Sequence, residues 1–253
     1  MPLDLASICA SRPQNDIHYF STVGSTMTEA GRLAMDGARH GTVVIADEQT
    51  SGIGRLGRSW ISEADAGIYL SILLQVALSP ARLPLASLLL GLATAEAIEH
   101  TAGLECDIRW PNDILIHQRK VAGVLPHLVD GCVVAGIGIN VNQTSMPEGL
   151  RTPPTSLRIE SGGKIQQREP LVIKLLECID TFCSMLVGNG PGSILDAFTR
   201  ASSYVMGRRV TVDETGKRGT TGGLDENGFL LLTLDDGRIE KISSGSIRPD
   251  YSV

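Results

Sequence analysis

Apolar residues along this chain change their spacing several times, and each change marks an element. TVVIA (42–46) and IYLSILL (68–74) are nearly unbroken runs of large and β-branched residues, the composition of buried strands. IHYFSTV (17–23) reads as an earlier strand, and the rest of the chain before Gly24 shows little periodicity. After it the period turns helical. Ala30, Leu33 and Ala34 fall on one face, Thr26-x-x-Glu29 is a capping-box pattern, and Gly37 is a stop. Ser25 and Thr26 are thereby placed at a helix N-terminus. Residues 83–101 predict a core helix ended by Gly103, 169–187 a second long helix, and about 193–204 a third. Strands are expected near 106–110, 114–116, 121–128 and 132–141, and 142–168, rich in Pro, Ser, Thr and Gly, as a loop.

From Val205 the pattern shortens. GRRVTV, GTTGGL, GFLLLTL and GRIEKI alternate with turns at Glu214-Thr215-Gly216, Asp225-Glu226-Asn227-Gly228 and Asp235-Asp236-Gly237. Short strands at regular spacing predict a small barrel or curled sheet, with a boundary near residue 204.

Bulk properties narrow the classes. The 253 residues are 42% hydrophobic and 20% charged, as in an ordinary soluble globular protein. A net charge of −6 without a basic run argues against generic nucleic-acid binding. Five scattered cysteines fit a reducing, cytoplasmic setting better than a disulfide framework. Cys178 and Cys183 lie on a predicted helix with no nearby His, so they read as core and not as zinc ligands. No basic segment leads into an apolar one at the start, so no signal peptide is expected. LPLASLLLGLATAEAIEH is interrupted by Ser87, Thr94 and Glu96 and reads as too short and too polar to span a bilayer.

Three segments carry candidate chemistry. GIGRLGRSW (52–60) spaces Gly52, Gly54 and Gly57 around Arg55 and Arg58. Glycines let backbone N–H groups approach an anion, and the arginines add fixed charge and forked donors. The spacing also satisfies GxGxxG, yet a Trp, a turn-like EADAG and a strand follow, where a dinucleotide fold needs a helix. A mobile glycine hairpin is the bland alternative. RWPNDILIHQRKVAGVL (109–125) breaks a short strand at Pro111, placing Asn112 and Asp113 at an edge and not in a core. Lys120 leads into VAGVL, either pointing into a pocket floored by bare backbone or solvated at a strand start. VAGIGINVN (134–142) puts Gly136 and Gly138 in one strand, a sign of close approach, and Asn140 and Asn142 on one face.

In order and combination these segments resemble the biotin protein ligases over nearly the whole chain. Ser25-Thr26, ADEQTSGIGRLGRSW, RWPNDI, KVAGVL, GIGIN and finally ISSGSIRP follow in family order. The resemblance implies an α+β fold: a mixed β-sheet with flanking helices, class II synthetase-like, over 1–204, and a small SH3-like β-barrel over 205–253. It looks like the form without the extra helix-turn-helix module that some members carry. It implies two steps. Biotin's carboxylate attacks the α-phosphate of ATP to give biotinyl-5′-AMP and pyrophosphate, and a lysine of a biotin carboxyl carrier protein then takes the acyl group.

By the same resemblance, Lys120, Arg55 and Asp113 are the catalytic set. Lys120 bridges carboxylate and α-phosphate, and Asp113 helps to hold Mg²⁺. Biotin is bound by Ser25, Thr26 and Gln49, with Gly52, Tyr69, Gly123, Leu125 and Gly136 as walls and Lys120 at the carboxylate. The nucleotide falls to Gly54, Arg55, Gly57, Arg58, Trp60, Asn112 and Asn140, Trp60 offering a flat face for adenine. ATP with Mg²⁺ is the co-substrate, no tightly bound prosthetic group is expected, and neither nucleic acid nor a membrane is a partner; a homodimer is compatible. The chain departs from the family pattern at Met27, at Ile53, where an arginine is common, and at Pro126 and His127. Alternatives are a lipoate or octanoate ligase or transferase and a non-catalytic biotin-binding homologue; Gln49 and the complete GIGRLGRSW loop favour biotin.

Overall fold

The computed structural model describes residues 2–76 and 78–250. Seven strands form one mixed sheet: β1 (Asp16–Val23), β2 (Thr42–Gln49), β3 (Gly67–Leu74), β4 (Asp107–Arg109), β5 (Asp113–Ile116), β6 (Arg119–Val129) and β7 (Cys132–Asn140). Their order is β1-β2-β3-β7-β6-β5-β4, with β1 parallel to β2 and every other pair antiparallel. The unbroken apolar runs at β2, β3 and β7 follow from this, because helices cover both faces of the sheet.

On one face lie α3 (Leu83–Ala102), α5 (Arg168–Asn189) and α6 (Pro191–Ala201), which bury the main core. The other face carries α2 (Thr26–Met35), whose Ala30 and Ala34 pack on Val44, Leu73 and Val134. Ser25 is the N-cap of α2, yet its side chain makes no capping bond, and Glu29 pairs with Arg32 at 3.3 Å instead of closing a capping box. The helix breaks into Gly37 at φ 81°, as the pattern required.

Three expectations need correction. The quiet N-terminal stretch contains α1 (Leu5–Ser11), capped by the Asp4 side chain, and the 142–168 segment contains α4 (Leu157–Glu160), capped by Ser156. Both are short and announced mainly by a capping residue. Second, Pro80–Ala102 is long and apolar enough to cross a bilayer, contrary to the reading above. Its buried residues, from Leu85 to Ile98, lie in the main core, so it is a core helix apolar on all sides. Third, Asn112 and Asp113 are buried, at 7% and 9% exposure, because the RWPND turn folds under β6.

The second sheet holds β8 (Met206–Val212), β9 (Arg218–Leu224), β10 (Leu230–Leu234), β11 (Ile239–Ile242) and β12 (Ile247–Pro249), antiparallel throughout in the order β11-β10-β9-β8-β12. Irregular registers between Met206 and Arg209 and between Leu230 and Leu232 bend it. Val210, Leu230 and Ile247 belong to the same buried cluster as Leu85 and Trp110, and Trp110 Nε1 donates to Gly228 O at 3.0 Å. The second sheet is thereby fixed to the RWPND turn.

Candidate active site

The site lies on the α2 face, where β6 and β7 run out of side chains. Gly123 faces Gly138 and Leu125 faces Gly136 across the ladder. A methyl at Gly138 would stand 2.4 Å from Trp60 Cε2, and one at Gly136 would stand 2.6 Å from Met27 Sδ. Only glycine permits those approaches. The indole and the thioether thus lie flat on bare sheet and leave about 50 Å³ of free space between them.

A polar corner closes one end. Gln49 Oε1 accepts from Thr26 N at 2.9 Å and Thr26 Oγ1 at 3.0 Å, and Ser71 Oγ donates to Thr26 Oγ1 at 2.9 Å. Gln49 Nε2 donates to Ser62 Oγ at 2.9 Å. An amide nitrogen carries two hydrogens, so one N–H of Gln49 remains to be used. Ser25 Oγ and Trp60 Nε1 are buried without a hydrogen-bond partner. Buried polar groups are normally satisfied, so unspent donors around a cavity point to a ligand that satisfies them.

A charged corner closes the other end. Lys120 Nζ sits 2.6 Å from Asp113 Oδ1 and 5.3 Å from the Trp60 ring centroid. Arg109 Nη2 meets Asp113 Oδ2 at 2.5 Å. Burial alone would raise the Asp113 carboxyl; the two cations outweigh it and hold it down at about 2. Arg55 Nη1 donates to Asn112 Oδ1 at 2.9 Å and to Gly245 O at 3.2 Å, and burial pulls its proton affinity down. Arg58 reaches Glu214 of the second sheet at 3.7 Å and stays exposed.

The loop itself is a tight hairpin. Gly52 O accepts from Trp60 N at 2.9 Å and Gly54 N donates to Arg58 O at 2.7 Å around a single turn at Arg55–Gly57. No helix follows it, which removes the dinucleotide reading of its glycines.

Of the expected site residues, Thr26, Gln49, Gly54, Arg55, Trp60, Asn112, Lys120, Gly123, Leu125 and Gly136 line one cavity. Gly52, Gly57 and Arg58 shape the hairpin, and Ser25 stands behind Thr26. Two residues are placed elsewhere. Tyr69 folds over Gly67, donates to Glu63 O at 2.9 Å and accepts from Gln143 Nε2 at 3.2 Å, so it is a core tyrosine. Asn140 donates to Thr155 O at 2.9 Å and anchors the 142–168 segment. Asp113 fits Mg²⁺ poorly, since both its oxygens are taken by Lys120 and Arg109. Among the described residues no cluster of three or more His, Cys, Asp or Glu gathers that could hold a metal ion. Sequence reading missed Met27 as a lining group and Arg109 as partner of Asp113. The signal for Arg109 was its position opposite Asp113 across the RWPND turn.

Comparison with known proteins places the chain in a family. The Biotin/lipoate A/B protein ligase family matches residues 19–143, and the Biotin protein ligase C terminal domain matches residues 205–248. The chain is 35% identical to the bifunctional ligase/repressor BirA of Bacillus spizizenii, over 90% of this chain and 72% of that one. It is 32% identical to the biotin–[acetyl-CoA-carboxylase] ligase of Mycobacterium tuberculosis, over 97% and 95%. Biotin protein ligase from Aquifex aeolicus, solved in complex with biotin and ATP, superposes with a TM-score of 0.77 at 33% identity, covering 93% of this chain and 99% of that one. The chain belongs to the biotin protein ligase family.

Proposed function

We propose that this chain is an ATP-dependent biotin protein ligase, which activates biotin as biotinyl-5′-AMP and passes the acyl group to a lysine of a biotin carboxyl carrier domain. The single observation that carries the mechanism is the position of Lys120. Its ammonium lies beside the glycine floor, 2.6 Å from the buried Asp113 carboxylate.

Biotin's urea belongs at the Gln49 corner, where one amide N–H of Gln49 awaits a polar partner. Its carboxylate then points to Lys120. Adenylation brings that carboxylate against a phosphate, and fixed cations offset the repulsion. Lys120 serves as the movable point charge, and Asp113 keeps it aimed. Arg55 is the phosphate clamp, braced by Asn112 and Gly245 O, with Arg58 beside it on the exposed side of the loop. Trp60 supplies the stacking face for adenine. A dithiolane ring would leave the polar corner unpaired, which favours biotin over lipoate. The described cysteines are all free, which suits a cytoplasmic setting. Mg²⁺, which accompanies ATP, is assigned no residue and no step.

The test is incubation with biotin, ATP and a biotin carboxyl carrier domain, read as carrier mass. One added biotinyl group, dependent on both small molecules, is expected. Unchanged carrier together with absent biotin-dependent ATP–pyrophosphate exchange would defeat the reading.

A further inference from the structure

Both main-chain polar groups of Lys120 are bound outside the seven-stranded sheet. Its N donates to Pro153 O at 2.8 Å and its O accepts from Thr155 N at 2.8 Å, a short parallel bridge centred on Pro154. On its other side β5 pairs irregularly, with a register shift between Ile114 and Leu115, the partner of Lys120. The lysine's main chain is therefore placed by the 153–155 segment. One buried carboxylate grips that segment. Glu160, the last residue of α4, has a side chain only 2% exposed. Its Oε1 accepts from Thr155 Oγ1 and lies 2.6 Å from Arg119 Nη2, and its Oε2 lies 2.9 Å from His117 Nδ1. Arg119 directly precedes Lys120. His117 opens the turn between β5 and β6, where His117 and Gln118 stand at positive φ, 48° and 63°. Residues other than glycine adopt that region at a cost. Thr155 is itself buried, and its O accepts from Asn140 Nδ2 at 2.9 Å. Glu160 thus holds Lys120 from two sides, through the residue before it and through the residue hydrogen-bonded to it.

We propose that Glu160 is a positioning residue for the adenylation proposed above, setting the main chain from which Lys120 reaches the reacting carboxylate and phosphate. The inference rests on that reading of Lys120. Two carboxylates then act on one lysine. Asp113 aims the ammonium from 2.6 Å, and Glu160 fixes the point from which the stem starts. A flexible four-carbon stem cannot correct a displaced base by itself. A misplacement of about 1 Å at a reacting centre can slow a step about a hundredfold. A buried carboxylate is a costly brace for a helix end, since well-packed apolar residues often stabilise as well or better. What the charge adds is direction. Its oxygens take donors from three separate places, the β5–β6 turn, the start of β6 and the 153–155 segment. Glu160 does not line the glycine-floored cavity, so it acts through Lys120 and touches no substrate.

Biotin-dependent ATP–pyrophosphate exchange in Glu160→Gln, Thr155→Val and Thr155→Ser tests this in the full chain. Glu160→Gln keeps the size of the side chain but gives Arg119 no counter-charge. Thr155→Val keeps the shape but loses the hydroxyl. Both should lose about ten- to a hundredfold in kcat, with KM for biotin unchanged. Thr155→Ser restores the hydroxyl and should exchange at the parent rate. Added to Lys120→Ala, Glu160→Gln should cause no further loss, because residues that act through one another are not additive. Residue-resolved hydrogen exchange should show slow Lys120 and Thr155 amides in the parent and faster ones in Glu160→Gln. Parent-like kcat in Glu160→Gln and Thr155→Val, a loss carried by KM alone, or Thr155→Ser as slow as Thr155→Val would each overturn the role. So would an equal loss in the Lys120→Ala background, or a fast Lys120 amide in the parent, which requires no variant to fold. No pyrophosphate exchange in the parent, with both amides behaving as expected, defeats the ligase reading alone; an active parent with parent-like variants defeats this role alone.

Discussion

Lys120 Nζ and Asp113 Oδ1 stand 2.6 Å apart, and the carboxylate's second oxygen is held by Arg109. The lysine is therefore aimed by a buried counter-ion that is itself pinned. Its flexible stem does not choose the direction. In the reaction proposed above, the substrate phosphate would meet a charge already in place, which is how a fixed electrostatic environment lowers a barrier.

Replacement of Lys120 by Ala should cut biotin-dependent ATP–pyrophosphate exchange by about a hundredfold or more, the scale for losing one electrostatic stabiliser. Binding of ATP alone should change far less. Near-normal exchange in Lys120→Ala would remove the residue from the mechanism.

Asp113 gives a pH dependence with a definite sign. Its folded-state carboxyl sits at about 2, below the ordinary value of about 3.9. The stability it contributes is fully present above about pH 4 and is lost as pH falls towards 2. The difference is on the order of 2 kcal/mol. Asp113→Asn strands Arg109 and Lys120, and should cost about 3–5 kcal/mol at neutral pH. Urea unfolding from pH 7 down to pH 2 should show the gap between parent and variant narrowing below about pH 4. A gap constant across that range would show that the carboxylate charge does not stabilise the fold.

Much of this arrangement was legible in the sequence, and the exceptions share a cause. Long elements with strong periodicity, such as β2, β3 and α3, were fixed by burial on one or both faces, which composition records directly. The glycines of β6 and β7 signalled close approach, and Met27 and Trp60 fulfil it. What failed depends on contacts distant in sequence. Asn140 and Tyr69 lie on strands near the site, but their polar atoms serve Thr155, Glu63 and Gln143. Asp113 looked like an edge residue because its turn is short and polar; pairing with Gly123 of β6 and the Arg109 and Lys120 side chains enclose it. Glu214 and Gly245 meet the loop arginines from the far end of the chain, and nothing local to GIGRLGRSW announces them.

The double anchoring of Arg55 leads to a prediction about leakage. Its Nη1 is held by Asn112 and Gly245 O, which would preset the guanidinium for the phosphate-clamp role proposed above. Ile53 adds no charge to the loop, which leaves Arg55 more of that task. Arg55→Gly should still form adenylate, but the mixed anhydride should escape and label lysines of a bystander such as bovine albumin. An acyl phosphate is shielded from water and stray amines only while it is held. Albumin labelling at the parent level, with adenylate synthesis intact, would defeat this role.

Trp60 and Gly138 provide the remaining test. In this conformation the indole covers Gly138, and only about 50 Å³ stays free, whereas pockets for small ligands usually measure about 300–1,000 Å³. If Trp60 is the adenine platform proposed above, it has to swing off the sheet before biotin and nucleotide enter. A methyl at Gly138 would meet Trp60 Cε2 at 2.4 Å, so Gly138→Ala forces the ring to lift. The strand beneath keeps its ladder, because alanine suits extended backbone, and stability should change little. The chain has two tryptophans, and Trp110 is buried and bonded to Gly228. A red shift of emission in Gly138→Ala would therefore report Trp60 alone. Biotin affinity should fall in the same variant, since the added methyl occupies the floor. Parent-like emission and parent-like biotin affinity together would mean that the indole does not rest on this glycine in solution.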